Sequence, residues 1–335
     1  MNNPGLGLGK ENVVKRNCSM DVLRILACLA VIIVHAGSSG ISIDIVDEGT
    51  NEWYYCMALD SLFKWSVPIF VMITGFFFLK PEKELPLKKL YKKYILRLVL
   101  CLIFWSWFYA ILLDCRYTKF YPFGGQHTNF WYIGMCIGLY MSMPVLRIIA
   151  ANEKVLAYSC WIWLFMNLYT FIGHFVDVPI VITDHVFYGY IGFCLWGYYL
   201  SRVELNRRQM NVVYLIGVLS SIITLILPWV TKGKVVFALD SPGPALTSIA
   251  IFLFVIKHPI QLSPKFEKVV THVSGLTLGI YMAHTFVIFE TFSRIYRFIP
   301  NMFLLVPIVF GVVFVLSYLI VLVIKQIPIL KKWVV

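Results

Sequence analysis

Ten separate stretches of this 335-residue chain stay apolar for long enough to cross the roughly 30 Å hydrocarbon core of a bilayer, at about 19–37, 62–79, 95–113, 131–149, 156–173, 185–201, 212–230, 244–258, 273–292 and 303–324. In hydrocarbon every backbone N–H and C=O must be bonded within the segment, so each run is predicted to be a helix. Composition agrees: 60% of residues are hydrophobic and 14% charged, against about 45–50% and about 25% in soluble domains. The predicted fold class is therefore all-α, a polytopic integral membrane protein with about ten transmembrane helices. The fifth and eighth runs are the shortest candidates, because Asn152 to Lys154 and the Pro242/Pro244 pair trim them.

Orientation follows from the basic residues. With a cytoplasmic N-terminus, 21 of the 29 Lys and Arg fall on inner segments, densest from Lys80 to Arg97, and seven fall outside. Both termini are thus predicted to be cytoplasmic. This topology accounts for the net charge of +12, and no recognisable nucleic-acid module accompanies that charge, so no nucleic-acid partner is expected. The first run is long for a signal peptide and contains Arg24, which argues that it is kept as a span.

Residues 1–18 read as a cytoplasmic leader, 19–325 as one transmembrane domain and 326–335 as a cytoplasmic tail. The segment 38–62 reads as the longest outer loop, acidic through Asp44, Asp47, Glu48, Glu52 and Asp60. The eight cysteines form no CxxC pattern, and no metal is expected. Cys56 and Cys115 both map to outer segments, where a disulfide between them can form. The expected location is the plasma or inner membrane, with lipid as the surrounding partner.

Within the first run, Arg24 and His35 stand eleven residues apart. Eleven steps of about 100° bring them to one helical face, roughly 16 Å apart along the axis. Each alone has an ordinary reading, since Arg24 can snorkel to the headgroups and His35 can be an interfacial or core histidine. Two ionisable groups aligned at membrane depth point instead to a polar interior path.

Other residues extend the pattern. Asp21, three residues before Arg24, can pair with it at the inner boundary. The basic segment ends in Lys93 and Arg97, spaced to share a face, and serves either lipid headgroups or the phosphates of a coenzyme A-like donor. In the ninth run, Gly275 and Gly279 permit close helix approach, and His284 lies at a depth like that of His35. Trp131 opens the fourth run as an interfacial anchor, while Pro68 and Gly75 either bend the second run or pack it tightly.

Taken in order, Asp21-x-x-Arg24-x-x-Ala27 followed by His35, the run from Val67-Pro68 to Thr74-Gly75, Trp131-Tyr132 through Gly138-Leu-Tyr140 to Pro144, and Gly279-Ile-Tyr281 to His284 resemble the membrane-bound acyltransferase-3 family over about residues 19–325. The resemblance implies ten spans and transfer of an acyl group, commonly acetyl from acetyl-CoA, to a hydroxyl of a surface glycan or lipid-linked acceptor. It implies catalytic roles for His35 and Arg24, donor binding by Arg97 and Lys93, and substrate contacts from His284, Tyr281, Trp131 and Asp21. His35 would act as a general base or as a transient acyl carrier. Two positions depart from the family pattern: Asn129 stands where many relatives have His, with His127 displaced by two, and an Arg-x-x-Arg element reads Tyr94-Ile-Leu-Arg97. The competing function is a transporter or flippase for a sugar or glycan intermediate, in which the aligned pair would bind substrate or protons.

Overall fold

The computed structural model describes residues 16–112, 130–176, 189–233, 238 and 241–334. Helices follow one another along the chain as α1 (Cys18–Ser42), α2 (Asn51–Phe63), α3 (Ser66–Phe78), a short α4 (Leu87–Lys89), α5 (Leu96–Leu112), α6 (Trp131–Ala151), α7 (Glu153–Val176), α8 (Tyr190–Arg202), α9 (Arg207–Val230), α10 (Pro242–Lys257), α11 (Pro264–Ser274), α12 (Thr277–Tyr296), α13 (Met302–Gln326) and α14 (Pro328–Trp333). A π-helical segment, Leu90–Ile95, joins α4 to α5. No strand occurs among the described residues.

Each of the ten apolar runs carries a helix. Among the described residues, six units can cross a bilayer by length and composition: α1, α2 with α3, the α4-to-α5 unit, α6, α9 and α13. A seventh is α11 with α12, bent by 57° at their junction. The chain is thus an all-α, multi-pass membrane protein.

The acidic segment 38–62 departs from expectation. Only 43–50 connects helices, and Asn51 onward folds as α2, continuous in span with α3. The reason is local: Thr50 caps α2 by accepting from the Trp53 amide at 3.2 Å, and Asp60 is neutralised on the same helix by Lys64 at 2.5 Å. Lys64 stands at the α2/α3 break inside the span. Pro68 falls in the first turn of α3, where its missing N–H leaves no helical bond unmade. Cys56 is a buried free thiol on α2, and Cys115 lies outside the described residues.

α1 stands at the centre. Asn17 caps it by accepting from the Met20 amide at 3.1 Å. Its first half contributes Met20, Leu23 and Ala27 to an apolar cluster with α3, α6, α7, α8 and α10. Its second half contributes Cys28, Val31, Ile32 and Ala36 to another with α2, α5, α12 and α13. The Arg24 and His35 face runs along the seam.

Small residues set the closest approaches. A Cβ at Gly197 would collide with the Met72 carbonyl, and one at Gly75 with that of Cys194, so α3 and α8 touch backbone to backbone. Gly279 gives room to Val321 of α13, while Gly275 sits in the α11/α12 bend instead of at a helix interface. Gly197→Val is expected to cost about 3 kcal/mol or more, and Gly134→Ala, where a Cβ meets nothing within 4 Å, to raise the melting temperature in detergent slightly, since Ala is the better helix former.

Candidate functional site

The first turns of α1 create a polar knot where helix and bilayer would otherwise demand apolar side chains. Asp21 is 4% exposed and its carboxylate accepts from Arg16 Nε at 2.5 Å, Ser274 Oγ at 2.7 Å and Arg24 at 3.4 Å. Arg24 also donates to Ser274 Oγ at 3.3 Å. A buried carboxylate needs this many donors to offset lost hydration. The α11/α12 bend delivers Ser274, and Arg16 ties α11 down through the Thr271 carbonyl at 3.4 Å.

Arg24 opens into a cavity of about 220 Å³ formed by α1, α3, α5, the π segment, α6 and α12. Arg97 lines it too, as do the hydroxyl-bearing residues Thr74, Tyr94, Tyr132, Tyr140, Thr277 and Tyr281. Tyr94, at the position where the family's basic element has its first arginine, stacks on Tyr140 with centroids 6.1 Å apart and planes 10° from parallel. Lys93 does not join them. It is exposed, with its ammonium 5.8 Å from the Tyr94 ring centroid. Spacing of i and i+4 places two residues on one face only in an α-helix, and the π segment through Leu90–Ile95 turns less per residue.

Beside Phe77 and Phe78, the loop after α3 is clasped by Arg147, which donates to the Phe78 carbonyl at 2.6 Å and to the Lys83 carbonyl. Lys80 in this loop lies 4.5 Å from the Phe76 ring centroid. Burial first, and then the neighbouring Lys83 charge, push its ammonium below the ordinary lysine range.

His35 and His284 meet with ring centroids 5.2 Å apart. His284 is fully buried. Its Nδ1 bonds the Tyr281 carbonyl, and Thr285 Oγ1 lies 3.3 Å from its Nε2. A carbonyl only accepts, so Nδ1 carries the hydrogen and Nε2 of the neutral ring is the acceptor. Tyr109 of α5 locks this turn of α12: its hydroxyl donates to the Met282 carbonyl at 2.7 Å and accepts from the Phe286 amide at 2.8 Å.

Aromatic rings connect the two centres. Tyr132 lies 5.0 Å from Tyr281, and Tyr281 lies 5.3 Å from His284. Tyr281 faces the cavity, while the histidines are not among its lining. Trp131 is 40% exposed and packs on Tyr190 at 5.7 Å; the next residue, Tyr132, takes the inward place. His127 and Asn129 lie outside the described residues.

Several of these residues had a signal in the sequence. Tyr132, Cys136 and Tyr140 recur every fourth residue of an apolar run, and Thr277, Tyr281 and His284 follow at four and three. Ser274 and Arg16 had none, because only the bend of α11 against α1 brings them to Asp21. Among the described residues no group of three or more His, Cys, Asp or Glu comes together.

Comparison with known proteins returned no match among curated proteins and none among solved structures. The acyltransferase-3 family model, described as an acyltransferase domain, matches residues 17–322. That span contains Asp21, Arg24, His35, the cavity and His284. With nearly the whole chain covered and the described residues folded as an all-α membrane bundle, the chain belongs to the acyltransferase-3 family of membrane acyltransferases.

Proposed function

We propose that the chain is an O-acyltransferase that moves an acetyl or other short acyl group from cytoplasmic acyl-CoA to a hydroxyl of a cell-surface carbohydrate or envelope precursor, in the plasma or inner membrane with both termini cytoplasmic. The observation that carries the reading is the pairing of two centres along one helix face: Arg24 in a cavity with Arg97, and His35 against His284, with Tyr281 in contact with both.

Arg97 and Arg24 supply guanidinium donors suited to the phosphates and carbonyls of the donor. The hydroxyls of Thr74, Tyr94, Tyr140 and Thr277 suit the amides of a pantetheine arm. Its thioester would arrive at Tyr132 and Tyr281. His35 acts as general base: the acceptor oxygen attacks the thioester carbon, His35 takes the hydroxyl proton, the C–S bond breaks, and the proton passes to the departing thiolate. His284, with its Nδ1 hydrogen committed to the Tyr281 carbonyl, holds the adjoining side of the site. Tyr281 keeps water from the thioester until an acceptor is present.

Acetyl-CoA-dependent labelling of envelope glycans tests the class. His35→Ala is expected to lower transfer by about 10²–10⁴-fold while the protein still inserts and melts normally. Retention of wild-type turnover would end the proposal. Arg97→Ala is expected to raise the KM for acetyl-CoA about tenfold, as loss of one charge-assisted bond implies. Tyr281→Ala is expected to raise acetyl-CoA hydrolysis severalfold relative to transfer, read by thiol release against acetyl incorporation. Accumulation of a sugar in vesicles without any acyl-CoA would favour transport instead.

A further inference from the structure

A polar strip continues past His35 toward the C-terminal end of α1. Ser38, Ser39 and Ser42 follow His35 by three, four and seven residues, spacings that hold all three on its face. Ser38 and Ser39 donate to the His35 carbonyl at 3.5 and 2.6 Å, and Ser42 to the Ser38 carbonyl at 2.9 Å. Each hydroxyl thereby keeps its lone pairs for a ligand.

α2 packs antiparallel beside this strip. A Cβ on Gly37 would lie 3.4 Å from Leu59 Cβ and 3.6 Å from the Cys56 carbonyl oxygen. The next turn of α2, beginning at Asp60, therefore stands level with His35. Asp60 and Lys64 pair at 2.5 Å with side chains only 18% and 11% exposed, inside the Asn51–Phe78 span. Removing two charges from water costs several kcal/mol per ion, and two apolar side chains would brace the α2/α3 break as well. The pair uses one of three ammonium hydrogens and part of the carboxylate's accepting capacity.

We propose that Asp60 and Lys64 form the subsite that recognises the acyl acceptor, and that this acceptor is hydroxyl-rich and uncharged, such as a neutral sugar ring. Neighbouring ring hydroxyls both donate and accept, so one diol satisfies Asp60 and Lys64 together. The two charges cancel, and an anionic acceptor drawn to Lys64 would meet Asp60. The serine strip offers further acceptors for the ring and leads to His35. The inference rests on the acyl-transfer reading and assigns its acceptor side.

The test replaces the chain in its own cells with Asp60→Asn or Lys64→Gln and reads acetyl groups on envelope glycans by mass spectrometry, so that the native acceptor is present. Thermal-shift titration of the purified variants with acetyl-CoA reads the donor side. Acetylation is expected to fall by at least about tenfold, the loss of one buried hydrogen bond to a charged group, with acetyl-CoA affinity within about twofold of wild type. The double exchange Asp60→Lys with Lys64→Asp keeps the ion pair and the fold, and is expected not to restore acetylation. Restoration by that exchange, normal acetylation in either single variant, or a parallel loss of acetyl-CoA affinity would overturn the subsite. So would acetyl found on an anionic sugar. A wild-type glycan bearing no acetyl would instead remove the acyl-transfer reading itself, and the subsite with it.

Discussion

Asp21 holds three donors at once, and the arrangement of the bundle's polar interior depends on it. An arginine within a span is tolerated only where its charge is balanced and its N–H groups are bonded. Here the balancing carboxylate sits one turn earlier on the same helix, and its remaining oxygen capacity is taken by Arg16 and Ser274. The knot fixes α1 against the α11/α12 bend. Because the register of a helix is rigid, it also fixes where His35 arrives eleven residues later.

From that anchor the bundle divides. One apolar cluster packs around the first half of α1 and another around the second. Polar side chains along the seam belong to neither, so they collect into the cavity at Arg24 and the histidine pair at His35. Tyr281 is shared, with its ring on the cavity and its carbonyl on His284. Tyr109 reinforces the same turn by bridging Met282 and Phe286. One residue of α12 thus borders both centres.

Much of this is legible residue by residue. The apolar runs anticipate the helices, and the Arg24 and His35 spacing anticipates their shared face. Asp21 beside Arg24 is readable from a three-residue separation. Lys93 shows where such reading stops. Its pairing with Arg97 assumes α-helical turn, and the π segment replaces it with Tyr94. Asp60 and Lys64 show another limit: five acidic residues between 38 and 62 look like a solvated loop, yet capping by Thr50 and an internal ion pair let half of that stretch fold as helix.

By itself the sequence determined the class of fold, the family and the face of α1 that Arg24 and His35 share, because hydropathy and helical periodicity act over short distances along the chain. Tertiary structure alone decided which groups meet. Ser274 reaches Asp21 across about 250 residues, His284 reaches His35 across a similar gap, and Tyr281 both lines the cavity at Arg24 and packs on His284. Those outcomes depend on how glycine-mediated helix contacts and the α11/α12 bend set helices side by side. No local pattern encodes that geometry.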